Sequence, residues 1–156
     1  MTAIRHISYN EEQNVVAVAS EDGVRIFHLS PLKEMLFLPA EVVGSIRIAA
    51  VLHRSNIVAV VAGPPRPKYA SNTIMIWDDK AKEFVMEVTV PGGPILDVQL
   101  NFTRLVAIQS HRVHVFSLLP SVRFLRTEET GPNGLGVAAM GGEATDAVLA
   151  VSYFTK

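Results

Sequence analysis

The sequence contains no cysteine, which excludes disulfide bonds, thiolate nucleophiles and cysteine-based zinc sites together. Charge is also scarce, because charged residues make up 19% of the chain and the formal net charge is −1. Without a basic excess the chain cannot hold a nucleic-acid backbone by charge, so we expect no nucleic-acid partner. The absence of cysteine is typical of a reducing compartment, and we therefore expect a cytoplasmic protein.

Long uninterrupted apolar runs are missing as well. The first residues lack the apolar stretch of a signal peptide, and polar side chains interrupt the most apolar region, residues 46–62. These two observations predict that the chain has neither a secretory signal nor a transmembrane helix. Apolar side chains are nevertheless abundant, since 49% of the 156 residues are hydrophobic. That content is enough to bury a core and excludes a disordered chain.

Four similar apolar runs divide the chain into repeats. They begin at Val15, Ile57, Leu105 and Val148, so their starts are 42, 48 and 43 residues apart. A short apolar strand precedes each run, and in the first three repeats a second strand and an outer strand follow it. All nine prolines fall between the predicted strands, where they remove no ladder hydrogen bond. Four short strands at a spacing of about 40–45 residues indicate the blades of a β-propeller.

This pattern predicts one all-β domain over residues 1–156 with the architecture of a WD-repeat-type β-propeller. The expected blades cover about residues 4–38, 46–90 and 95–127, and a fourth begins at about residue 135 and runs to 156. A β-sandwich is the alternative, but the repeat favours the propeller. Propellers close with about 4–8 blades. We therefore expect a partial propeller: the N-terminal part of a longer protein, a truncated product, or a chain that assembles with a second chain.

No motif of catalysis or metal binding stands out. The five histidines lack a second histidine or a carboxylate at a metal-binding spacing, and we interpret them as turn or surface residues: His6, His28, His53, His111 and His114. Asp78 and Asp79 follow a predicted strand and are expected to cap a turn rather than to share a catalytic pocket. Residues 131–136 are rich in glycine, but no helix follows that could bind a phosphate. We therefore expect no metal, no cofactor and no enzymatic activity.

One connection is unusually long. Residues 63–72 replace a hairpin turn that is tight in the first and third repeats, and they contain three prolines together with Arg66, Lys68 and Tyr69. Loops held by a rigid scaffold often carry binding sites, and prolines reduce the entropy that is lost when a loop docks. The composition therefore predicts a partner site, with a neutral insertion as the alternative.

Several sequence blocks resemble one known family. Residues 54–63, the Pro67–Lys68–Tyr69 stretch and residues 72–79 (Asn-Thr-Ile-Met-Ile-Trp-Asp-Asp) resemble the second blade of the PROPPINs. These are the phosphoinositide-binding β-propellers of autophagy, also called WD-repeat phosphoinositide-interacting proteins. Residues 23–27, 95–116 and 133–136 resemble parts of the first blade, the third blade and the start of the fourth.

The resemblance implies a seven-bladed propeller, of which this chain holds about three and a half blades. It also implies a scaffold that recognises phosphatidylinositol 3-phosphate and recruits autophagy factors at phagophore or endosomal membranes. The family holds its lipid with an FRRG motif in later blades, and this chain has no such motif. We therefore expect no lipid-binding residue here, and lipid binding only where the later blades are present.

The resemblance further implies that the long connection of the second blade docks the large lipid-transfer protein of autophagy. The candidate partner-binding residues are Pro65, Arg66, Pro67, Lys68 and Tyr69. The leading expectation is therefore a non-enzymatic scaffold of autophagy. The alternative is a generic WD-repeat protein-interaction module with no lipid or autophagy role.

Overall fold

The computed structural model describes residues 2–53, 56–118, 120–141 and 149–151. These residues are all-β apart from one four-residue helix, as the apolar pattern predicts. Among them, no helix is long and apolar enough to cross a membrane. Arg54 and Ser55 of the second-blade block, and Val148 and Ser152 of the fourth apolar run, lie outside the described residues.

Three four-stranded antiparallel sheets follow one another, and in each the strands pair in sequence order. Sheet 1 consists of β1 (Ile4–Tyr9), β2 (Val15–Ser20), β3 (Gly23–Leu29) and β4 (Leu32–Pro39). After the helix α1 (Ala40–Val43), sheet 2 consists of β5 (Gly44–Val51), β6 (Ile57–Pro67), β7 (Thr73–Asp78) and β8 (Glu83–Thr89). Sheet 3 consists of β9 (Asp97–Leu100), β10 (Arg104–Ile108), β11 (Arg112–Ser117) and β12 (Arg123–Glu129). A two-stranded sheet, β13 (Ala138–Met140) and β14 (Leu149–Val151), follows.

Sheets 1 and 2 belong to the first compact unit of the chain, Met1–Thr89, and share a core. Because successive side chains of a strand point to opposite faces, alternate residues of each sheet enter that core. Small residues such as Ala17 and Ala49 are fully buried there and let the sheets approach closely. The Ser8 hydroxyl of β1 donates a hydrogen bond of 2.6 Å to the carbonyl of Ala49 in β5. This bond ties the first strands of the two sheets together.

Sheet 3 and the two-stranded sheet belong to the second unit, Val90–Lys156. Four residues from the middle strands of sheet 3 form its core, and partly buried residues of β13 and β14 pack against them: Ala138, Met140, Leu149 and Val151. The two-stranded sheet therefore covers one face of sheet 3 in the way that sheet 2 covers sheet 1.

Each four-stranded sheet has a β-bulge at the same place, between its third and fourth strands. The register shifts at Ile26/Phe27, Ile76/Trp77 and Val115/Phe116, so an aromatic residue always follows the shift. A bulge bends the strand and increases its twist. The shared bulge gives a residue-by-residue alignment of the sheets that does not depend on sequence spacing.

This alignment corrects one sequence assignment. The apolar runs place Leu105 at the position of Val15, but Leu105 pairs with Phe116 as Val16 pairs with Phe27. The third repeat is therefore displaced by one residue relative to the spacing of the runs, and a displacement of one residue exchanges the two faces of a strand. Spacing alone missed this because an apolar run that is buried on both faces carries no alternation.

Candidate functional site

The predicted partner site lies in the segment of residues 63–72 between β6 and β7, called here the blade-two segment. The sequence analysis expects a loop here. The first half of the segment instead continues β6 as an extended strand through Pro67. The residues from Pro64 to Lys68 are all exposed to solvent. These prolines lie beyond Val61, the last residue of β6 that pairs with β7, so no ladder donor is needed from them on that side.

The start of β5 holds the backbone of this segment in place. Pro67 pairs with Gly44, and the amide of Arg66 donates to the hydroxyl of Ser45 at 3.3 Å. That buried hydroxyl in turn donates to the carbonyl of Glu21 in the β2–β3 turn at 2.9 Å. The blade-two segment is therefore connected to both sheets of the first unit.

Gly44 lies so close to the blade-two segment that a side chain at this position would not fit. Its φ is 78°, and a Cβ there would lie 2.9 Å from the backbone nitrogen of Lys68 and 3.0 Å from the carbonyl oxygen of Arg66. Left-handed backbone is costly for residues with a Cβ, and contacts of this length force a shift.

We expect Gly44→Ala to lower the free energy of unfolding by about 1–3 kcal/mol, because it adds backbone strain and steric overlap with the blade-two segment. Urea denaturation followed by circular dichroism measures the change. Gly93→Ala is the matched control, because a Cβ at Gly93 meets nothing within 4 Å. Equal stability of the two variants would contradict the proposed role of Gly44.

Two of the five candidate residues, Lys68 and Tyr69, hold the blade-two segment against the rest of the fold. The Lys68 ammonium donates to the carbonyl of Glu41 and, at 3.1 Å, to that of Val42, so it caps α1. Tyr69 is half-buried and packs edge-on against Phe84, with ring centroids 5.4 Å apart. Phe84 packs in the same way against Trp77 at 5.2 Å. The segment is therefore joined to the core of sheet 2 by an aromatic ladder.

The remaining candidates, Pro65, Arg66 and Pro67, form the exposed tip of the segment. The Arg66 side chain makes no hydrogen bond or ion pair with any of the described residues. Five donors of a planar, permanently charged guanidinium are thus available on a backbone that is held in place. The tip offers one cation between two stiff apolar rings, and none of its three residues is a nucleophile or a general base.

A shallow groove between the two sheets of the first unit is a feature that the sequence analysis missed. It has a volume of about 210 Å³ and is lined by Ile26, Met35, Leu36, Val51, Asn56, Val58 and Asp79. Its walls are apolar and its polar groups come from the β7–β8 turn and the end of the β5–β6 connection. No local sequence signal could find it, because its lining residues come from five separate stretches of chain.

The paired acids of sheet 2 cap a turn, as expected. The Asp78 carboxylate accepts hydrogen bonds from the backbone of Lys80 at 2.8 Å and of Ala81 at 3.3 Å, and another from Asn56. Desolvation raises the pKa of Asp78, but these hydrogen bonds and the nearby charge of Lys80 outweigh it, so the pKa lies below its usual value. Asp79 accepts from the Trp77 indole at 3.3 Å and pairs with Lys82 at 2.7 Å. Both acids are occupied by structural contacts.

The interpretation of all histidines as turn or surface residues is wrong for His114, which is 1% exposed. Its Nε2 lies 3.0 Å from Oε1 of Gln109, and its Nδ1 lies 2.8 Å from the Thr127 hydroxyl. Because Gln109 Oε1 only accepts, Nε2 carries the proton and Nδ1 accepts from Thr127. The Gln109 amide donates to the carbonyls of Pro91 and Gly93. His114 is thus part of a buried polar network.

Burial and the neighbouring charge of Arg112 lower the pKa of His114. In the described part of the chain, no group of three or more histidine, aspartate or glutamate side chains could hold a metal ion. Nε2 of His53 lies 2.9 Å from a carboxylate oxygen of Glu11.

Searches for similar proteins found relatives along nearly the whole chain, although no protein-family model matches it. Ectopic P granules protein 6 of Caenorhabditis elegans is 28% identical over 156 residues, which is 98% of this chain and 40% of the relative. SVP1-like protein 2 of Pichia angusta is 30% identical over 139 residues, 88% of this chain and 38% of the relative. Autophagy-related protein 18 of Komagataella pastoris is 26% identical over 148 residues, 95% of this chain and 26% of the relative. The chain therefore spans two fifths or less of these relatives.

Solved structures share the fold. Hsv2 of Kluyveromyces marxianus superposes with a TM-score of 0.73 at 21% identity, over 89% of this chain and 40% of that one. KlAtg21, solved with the coiled coil of AgAtg16, gives a TM-score of 0.75 at 18% identity, over 94% of this chain and 46% of that one. The predicted partial β-propeller is thereby confirmed. Its sequence relatives and its repeated four-stranded sheets confirm the resemblance of this chain to the PROPPIN β-propeller proteins.

Proposed function

We propose that this chain is a non-enzymatic scaffold of autophagy, and that the exposed tip of its blade-two segment binds a protein partner. The observation that supports the proposal most directly is the geometry of the tip. Arg66 has no partner among the described residues, stands between two prolines, and is carried by backbone that both neighbouring sheets hold. A backbone that is already held in place loses little entropy when the segment docks.

The names of the relatives support the biological setting, since one is an autophagy-related protein and another structure holds the coiled coil of a second autophagy protein. For the blade-two segment we propose the large lipid-transfer protein of autophagy as the partner. An unpaired guanidinium favours a partner surface that carries carboxylates, because bidentate Arg–carboxylate pairs are the strongest charge-assisted hydrogen bonds.

Exchange of Arg66 for glutamate tests this proposal. We expect Arg66→Glu to weaken binding of the purified lipid-transfer protein about tenfold or more in a pull-down titration, because attraction becomes repulsion. The variant leaves Lys68 and Tyr69 in place, so the thermal melting curve stays that of the parent chain. Lys33→Glu is the matched control, since Lys33 is equally exposed on β4 and carries the same charge. Undiminished binding of Arg66→Glu would refute a role for the tip.

Membrane recognition is proposed only for the longer propeller. Phosphatidylinositol 3-phosphate would be bound by later blades, and the protein would then associate peripherally with phagophore or endosomal membranes. A generic WD-repeat interaction module is the alternative, and the WD40 repeats of RRP9, with a TM-score of 0.63 at 13% identity, show how widely the scaffold is shared. Flotation with liposomes that contain or lack phosphatidylinositol 3-phosphate distinguishes the two hypotheses. Under our proposal, a protein with all its blades floats only with the liposomes that contain the lipid. Under the alternative, it floats with neither preparation.

A further inference from the structure

The exposed tip of the blade-two segment depends on few main-chain hydrogen bonds. The ladder between β6 and β7 ends at Val61, and residues 63–66 have no paired residue in β5 either. The prolines on both sides of Arg66 have no amide hydrogen to donate. The Arg66 amide itself donates to the Ser45 hydroxyl at 3.3 Å, which is long for a hydrogen bond of this kind. Contacts outside the tip must therefore supply much of what holds it in place.

Lys68, the residue directly after the tip, supplies charged contacts of this kind. Its ammonium donates to the carbonyl of Glu41 and, at 3.1 Å, to that of Val42, and both acceptors belong to α1. Hydrogen bonds in which one partner is ionised are roughly twice as strong as those between neutral groups. The two bonds of Lys68 are therefore stronger restraints on the tip than the single neutral bond of the Arg66 amide.

The side chain of Lys68 reaches α1 across the start of β5. A Cβ at Gly44 would lie 2.9 Å from Cγ of Lys68 and 2.9 Å from its backbone nitrogen, so the lysine lies directly against the glycine. The donors of Lys68 are thereby directed to α1, whereas the guanidinium of Arg66 bonds to none of the described residues. The two neighbouring cations are in different situations, and only Arg66 is available to a partner.

We propose that Lys68 is a positioning residue for partner binding. It does not touch the partner, but its bonds to α1 fix the course of the main chain from which Arg66 is presented. Without the ammonium, the tip would adopt several courses, and only a fraction of them would place the guanidinium for docking. The dissociation constant of the partner rises in inverse proportion to that fraction. This inference rests on the proposed function of the tip, and it adds the contact that controls the affinity of that site.

Amide hydrogen exchange of the purified 156-residue chain, followed by NMR, tests the restraint without a partner. Lys68→Met keeps the length of the side chain and removes its charge, and we expect the Arg66 amide to exchange about tenfold faster. Lys68→Arg should retain the parental rate, because a guanidinium can also donate to two carbonyls. Lys33→Met is the matched control, since Lys33 is exposed on β4. A parental exchange rate in Lys68→Met would overturn the proposal.

The same variants are then compared in the pull-down titration with the lipid-transfer protein. We expect Lys68→Met to raise the dissociation constant about fivefold to tenfold, and Lys68→Arg to restore most of the affinity. Both variants should keep the thermal melting curve of the parent chain, because Lys68 is not part of the core between sheets 1 and 2. An equal loss of affinity in Lys68→Arg and Lys68→Met would contradict a role for the charge.

A double-mutant cycle shows whether Lys68 acts through Arg66. In an Arg66→Ala background, Lys68→Met should change the dissociation constant by less than about twofold, because no guanidinium remains to be positioned. Losses of affinity that multiply would mean that Lys68 contacts the partner itself, and the proposal would be wrong. Undiminished binding of Arg66→Glu would remove the proposed function and this inference together. Weaker binding of Arg66→Glu with parental binding of Lys68→Met would refute this inference alone.

Discussion

Replacement of Trp77 by alanine should lower the free energy of unfolding by about 3–5 kcal/mol, the usual cost of removing a large buried aromatic side chain. Trp77 is 6% exposed, belongs to the core between sheets 1 and 2, and carries the aromatic ladder through Phe84 to Tyr69. Its loss leaves a cavity and also removes the support of the blade-two segment. We therefore expect weaker partner binding together with the loss of stability.

Trp77→Phe provides the control that the repeat itself suggests. Phe27 and Phe116 occupy the same position after the bulge in sheets 1 and 3. A phenylalanine is therefore compatible with the local backbone, and we expect it to retain at least half of the stability that alanine loses. Urea denaturation followed by far-ultraviolet circular dichroism is suitable, because Trp77 is the single tryptophan and its fluorescence disappears in both variants. If Trp77→Phe lowered the free energy of unfolding as much as Trp77→Ala does, the aromatic ladder would not depend on ring packing at this position.

Acidification should destabilise the protein through His114. The folded structure lowers the pKa of this buried imidazole below the value of about 6.5 expected for the unfolded chain. Between those two pKa values the unfolded state binds more protons than the folded state, so stability is complete above about pH 6.5 and is lost as the pH falls below it. The slope contributed by one histidine is at most about 1.4 kcal/mol per pH unit.

Comparison of two variants tests whether His114 causes this pH dependence of the free energy of unfolding. We expect His114→Gln to remove the pH dependence in this range, because glutamine does not titrate, and to cost about 1–3 kcal/mol at pH 8, because it cannot satisfy both Gln109 and Thr127 in the same geometry. His111→Gln should retain the slope, since His111 is exposed in the preceding turn. Denaturation curves at several pH values between 5 and 8 provide the measurement. A parental slope in His114→Gln would assign the titration to another group.

The four-strand repeat could be predicted because each strand is short and locally encoded. Tight turns such as Glu21–Asp22–Gly23 mark the ends of the strands, and apolar runs mark their middle. The prolines are a less reliable guide, because Pro39, Pro64, Pro65 and Pro67 lie within strands, whereas the sequence predicts them between strands. The register of the third repeat could not be predicted in this way. Leu105 lies in a run that is buried on both faces, so only its pairing with Phe116 shows which face it occupies.

The sequence predicts the blade-two segment as a candidate site, but it does not give the role of each residue in that segment. The sequence places Arg66 and Lys68 side by side as two equivalent cations. In the structure the Lys68 ammonium is held by carbonyls of α1, 26 or 27 residues away in sequence, whereas Arg66 remains exposed. Tyr69 likewise turns inward to Phe84. Such differences depend on long-range contacts, which a local pattern does not contain.

By itself, the sequence determined that the chain is a repeated all-β protein without cysteine chemistry, and its motifs pointed to the family, because strand periodicity, turn residues and short motifs are properties of neighbouring residues. Only the tertiary structure decided that His114 is buried in a polar network, that Gly44 must lack a side chain, and that Lys68 caps α1 while Arg66 remains exposed. The reason is physical: burial, close approach and the choice of face are set by segments that meet across the fold, and their sequence separation hides them from any local pattern.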